Sequence, residues 1–121
     1  MILTGAVCAC LSASIASASE LARTFAGCVG RMSAEMEHAW LTSDPAAAEF
    51  EGKRQAFLAL LDATLPKGRE ADALNHRIEA KMAHASLLTV ATFADGNDRA
   101  DQARMRAAWH RTACNTLLLD G

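Results

Sequence analysis

The sequence predicts an all-α fold, an antiparallel up-down-up-down four-helix bundle with one disulfide between its first and last helices. Three observations carry that expectation. Between its turn signals every stretch is long, without Pro and rich in Ala, the best helix former, of which the chain holds 27. Apolar residues recur at steps of three and four, and alternation of period two is absent. The cysteines outside the first segment reduce to one pair, Cys28 and Cys114.

At 121 residues the chain has room for one small domain. A hydrophobic fraction of 51% is too high for a disordered tail, and a formal charge of −2 is too balanced for a nucleic-acid binder. Seven Gly and two Pro are too few for a low-complexity or collagen-like chain.

Residues 1–19, MILTGAVCACLSASIASAS, carry no charged side chain. An apolar stretch ending in Ala16-Ser17-Ala18 reads as a secretory signal with an A-x-A cleavage site, although no Lys or Arg opens it. The domain reading is therefore a signal over 1–18 and a bundle over 19–121. Thr4, Ser12, Ser14 and Ser17 dilute a segment already short for a bilayer, so no stable membrane insertion is expected after cleavage. Cys8 and Cys10 would leave with the signal. The remaining even pair suits an oxidising compartment, which makes the expected location periplasmic or secreted. The Ala- and Arg-rich makeup is compatible with a bacterial, GC-rich genome.

The first helix is expected over about 20–42, with Leu21, Phe25, Cys28, Met32, Met36 and Ala39 on one stripe. Ser43-Asp44-Pro45 then starts the second: Asp44 can cap free backbone N–H groups and Pro45 suits the first helical position. Phe50, Phe57, Leu58 and Leu61 are its buried candidates, and Leu65-Pro66-Lys67-Gly68 turns the chain. The third, about 69–94, offers Leu74, Ile78, Met82, Ala85, Leu88 and Thr92. Gly96 reads as its stop, with Asn97 or Asp98 capping a fourth helix over about 98–118. There Ala103, Ala107, His110, Cys114 and Leu117 form the stripe. Antiparallel packing brings Cys28 and Cys114 to similar heights, and Gly27 and Gly30 remove bulk where the last helix must come near.

Chemistry is sparse. Met36-Glu37-His38 resembles Met82-Ala83-His84, and thioether with imidazole suits copper or silver, so His38, His84, Met36 and Met82 are candidate metal ligands. Residues two apart on a helix point about 200° apart, however, so neither Met-x-His chelates alone, and Met is ordinary core filler. A Cys114–His110 nucleophile would require a free thiol. Glu35 with Glu37 and Glu49 with Glu51 do not converge and read as solvated faces. Asp95-Gly96-Asn97-Asp98 lacks the spacing of a calcium loop. Arg99, Arg104, Arg106 and Arg111 make the last helix locally basic, a charged face or a docking surface for an acidic partner. Trp40 and Trp109 are core anchors or, if exposed, the centre of a binding surface.

The leading expectation is a small exported helical protein, a non-enzymatic binding or structural module with no cofactor. Its partner would be a protein or a small ligand, and pairing as a homodimer is open. Its makeup has the general character of small disulfide-bearing periplasmic proteins, stress chaperones among them, with no motif that assigns a family. A rival reading is a periplasmic Met/His copper- or silver-binding protein. A third is an enzyme using Cys114 with His110.

Overall fold

The computed structural model describes residues 11–118, with helices α1 (Leu11–Leu41), α2 (Ala47–Thr64), α3 (Glu70–Phe93) and α4 (Asn97–Thr116). No strand occurs among the described residues. Cys8 and Cys10 lie outside them. α1 begins at Leu11, inside the segment read as a signal, rather than near residue 20.

The four helices are not equivalent. α1 packs against both α2 and α3; α4 packs against α3 and meets α1 at few points. Among the described residues, α2 makes no close backbone approach to α3 or α4. The composition of α1 explains its central place. Ala22, Phe25, Ala26, Val29, Met32, Ala34 and Ala39 are all buried, so it is apolar around most of its circumference rather than along one stripe. A helix of that kind is stable only when neighbours surround it. Contacts between α1 and α3 climb together, from Gly27 beside His76 through Glu35–His84 to His38–Thr92. Those between α1 and α4 run in opposite order, Cys28 with Cys114 and Glu35 with Arg111.

The disulfide joins Cys28 to Cys114 with their Cα atoms 5.7 Å apart, so the first and last helices are strapped as expected. The glycines beside Cys28 serve a different neighbour. A Cβ on Gly27 would stand 3.3 Å from His76 Nε2. One on Gly30 would run into the Arg77 backbone oxygen, with the Lys81 nitrogen at 2.9 Å and the Ala80 Cβ at 3.2 Å. Gly27 and Gly30 thus admit α3, not α4. Because α3 lies so close, its facing positions must also be small, and Ala73 and Ala80 fill them. Gly30→Ala gains helix propensity of about 1 kcal/mol but forces two backbones apart. It is expected to lower stability by about 2 kcal/mol or more, read as a fall in the urea midpoint.

Two apolar clusters result. The larger joins α1 to α2 through Phe25, Val29, Met32, Phe57 and Leu61, with the Phe25 and Phe57 rings 6.3 Å apart. The smaller joins Ala34, Leu88 and Ala107. α4 contributes only small groups, Ala100, Ala103, Ala107 and Cys114, to the interior.

The turns follow their expected residues with shifts of one or two positions. Asp44 Oδ1 accepts from the Ala46 N–H at 2.9 Å, so Asp44 organises the entry to α2, but the helix itself starts at Ala47. Ser43 closes α1 with φ 56°, and the Asp44 N–H donates back to the Ala39 carbonyl, a left-handed helix stop made without glycine. Gly68, at φ 87°, supplies the positive φ that the turn between α2 and α3 needs. Gly96 is not the stop of α3: it is extended, at φ −90° and ψ 119°, and stands as the N-cap of α4, with Asn97 already helical.

Candidate functional site

Close approach of α1 dictates which way α3 faces. With Ala73, Ala80, His84 and Leu88 turned inward, three large apolar residues at another phase turn outward. Leu74 is 52% exposed, Ile78 47% and Met82 66%. These three were expected in the core. They stand instead at i, i+4 and i+8, a surface ridge about 12 Å long.

The ridge borders a groove of about 410 Å³ between α2 and α3. Its floor is Ser33, Met36 and Glu37 of α1; Arg54 lines it from α2, and Leu74, Arg77, Ile78 and Lys81 from α3. Lys81 Nζ pairs with Glu37 Oε1 at 2.7 Å. Arg54 and Arg77 form no ion pair among the described residues, and the buried Arg54 Nε has no hydrogen-bond partner there.

Behind this face lies a buried polar layer. Glu35, read above as a solvated residue, is 5% exposed, and His84 is 0% exposed. His84 Nε2 donates to Glu35 Oε1 at 2.9 Å, and Arg111 Nη1 donates to the same oxygen at 2.7 Å. Arg31 Nη1 lies 3.1 Å from His84 Nδ1. An Arg can only donate, so the network assigns His84 as the neutral ring with its proton on Nε2. Burial raises the Glu35 pKa, but the hydrogen bonds from His84 and Arg111, with the Arg111 charge, outweigh it and hold the carboxyl below its ordinary range. Burial, then the charges of Arg31 and Arg106, push His110 down, and its ring stands edge-on to Trp109 at 4.9 Å. With Arg31 on Nδ1 and Glu35 on Nε2, both ring nitrogens of His84 are engaged and neither is presented to a metal.

The remaining expected residues disperse. His38 Nε2 meets Thr92 Oγ1 at 3.0 Å, Met36 is buried, and Met82 stands on the solvent side of the helix whose inner side carries His84. Among the described residues no group of three or more His, Cys, Asp or Glu side chains could hold a metal ion. The disulfide occupies both thiols that a Cys–His pair would need. Trp40 and Trp109 are both exposed, at the end of α1 and on α4, and neither lines the groove. On α4, exposed Arg104 pairs with Asp101 and donates to the Ala91 carbonyl, while Arg111 turns to Glu35. The partners of Glu35 lie 49 and 76 residues away, beyond the reach of local spacing. The local signal was its place between Met32 and Met36 in a helix apolar on nearly every side.

A second hollow, about 220 Å³, lies between Ser19, Glu20, Ala22 and Arg23 of α1 and Leu65, Pro66, Arg69 and His76. Burial, then the Arg23 charge, lowers the His76 pKa, and its buried Nδ1 lacks a partner among the described residues. Comparison with protein families, with curated proteins and with solved structures finds no match. No described helix is long and apolar enough to cross a membrane.

Proposed function

We propose that this chain is a non-enzymatic binding module of an exported protein and that the outward face of α3, with the groove beside it, is its working surface. The observation that carries this reading is the outward turn of Leu74, Ile78 and Met82, which meet water while Ala73 and Ala80 of the same helix occupy the interior. Isolated exposed apolar residues are ordinary, but a contiguous ridge beside a groove marks an interaction surface. The rest of the molecule suits a scaffold: the disulfide and the Glu35 layer fix α1, α3 and α4 together and leave their reactive groups occupied. Export is supported by the Cys28–Cys114 bond and by the uncharged segment ending in Ala16-Ser17-Ala18.

The test is a photoreactive side chain introduced at position 78, and separately at the exposed Gln55 of α2, in cells that make the chain naturally. A discrete crosslinked adduct from position 78 and none from position 55 is expected. Adducts from neither position, or equal adducts from both, would overturn the reading.

A further inference from the structure

We infer that the groove between α2 and α3 receives an acidic amphipathic helix of a partner protein, laid along α1 as a fifth helix; this rests on the binding-module reading above. Shape is the first ground. α2 and α3 both pack on α1 without approaching each other, which leaves a trough floored by Ser33 and Met36 and open to solvent. Leu74, Ile78 and Met82 present a single i, i+4, i+8 row, the ridge that a second helix takes into its own groove. A lone alkyl chain would leave such a half-exposed rim largely wet.

Charge is the second ground. Arg54, Arg77 and Lys81 border the apolar strip, while Glu37, the acid in that lining, is already held by Lys81. Arg54 and Arg77 therefore lack acidic partners among the described residues, and acidic side chains flanking the apolar stripe of an incoming helix would supply them. A second copy docked by a twofold through the same groove would instead bring this cationic rim against itself.

The experiment uses the full oxidised chain and two labelled 18-residue peptides built from Leu, Ala and Gln, with Leu at helical spacing. One carries Glu on the flanks of its stripe and the other Lys. By fluorescence anisotropy the Glu peptide should bind about tenfold or more tighter than the Lys peptide, with the gap narrowing as salt rises. Arg54→Glu with Arg77→Glu should reverse the order, and Ile78→Asp should weaken both peptides, with circular dichroism unchanged in each variant. If the Lys peptide binds as well as the Glu peptide and Ile78→Asp still weakens it, the acidic partner is wrong while the binding-module reading stands. If neither peptide binds, the inference is overturned, and the crosslinking at position 78 decides the binding-module reading by itself. If sedimentation shows a dimer that Ile78→Asp dissociates, the occupant is a second copy and the inference is overturned. Displacement of the Glu peptide by laurate alone, with no effect of the Arg variants, would overturn it in favour of an alkyl ligand.

Discussion

Glu35→Ala is expected to lower stability by about 3 kcal/mol, at the lower end of what breaking a buried ion pair costs. The substitution strips the acceptor from two donors at once. Arg111, one-third exposed, can swing into water, but His84 has no exposure and its Nε2–H is left without a partner. An unsatisfied buried donor alone costs about 1–3 kcal/mol. Glu35→Gln keeps an oxygen for His84 and should cost less, so the two variants divide the hydrogen bond from the charge. The pH dependence has a definite sign. A carboxyl held below its ordinary value when folded binds a proton more readily in the unfolded chain. Its contribution is full above the ordinary carboxylate pKa and is lost as pH falls through the depressed folded value. His76 and His110 are also depressed, so each costs stability as pH falls below about 6.5 toward its folded pKa. Urea titrations between neutral and acid pH should therefore show two falling stages for the wild type. Glu35→Gln should remove the lower stage and keep the upper; loss of both, or of neither, would be inconsistent with the network.

Replacing both Cys28 and Cys114 by Ser should cost about 2–5 kcal/mol. The bond spans a sequence separation of 86, for which loop-closure entropy gives at most about 4.6 kcal/mol. That approaches the whole net stability of many domains of this size. The loss should fall unevenly. α4 buries little beyond Ala100, Ala103, Ala107 and the cysteine itself, and its approach to α1 is slight, so without the strap its C-terminal half rests on alanines and Arg111. Hydrogen exchange should accelerate first across residues 107–116, while α1 and α2, locked by Phe25 and Phe57, keep their protection. Helix content at low temperature should be unchanged. An unaltered melting temperature under oxidising conditions would mean that the bond adds nothing.

Much of this architecture was legible in the residues. Pro66-Lys67-Gly68 and the Asp44 turn mark two of the three connections, and a single pair of cysteines outside the first segment leaves one intramolecular bond to make. The orientation of α3 was not legible, because periodicity identifies an apolar stripe without saying what covers it. Leu74, Ile78 and Met82 form the stronger stripe by size. The interface instead selected Ala73 and Ala80, since Gly30 brings two backbones too close for anything larger. Small residues on both helices at matching heights were the available clue. Glu35 and His84 were hidden for a related reason: each looks local and unpartnered until α1, α3 and α4 are assembled around them.

The phase of α3 can be read directly from methionine oxidation. Dilute hydrogen peroxide applied to the folded, monomeric chain should convert Met82 and Met105, which are exposed, well before Met32 and Met36, which are buried. Peptide mass spectrometry resolves the four positions. Rapid oxidation of Met82 beside a protected Met36 is the expected result. A Met82 as slow as Met36 would put the Leu74–Ile78–Met82 ridge in the interior and remove the surface on which the proposed function depends.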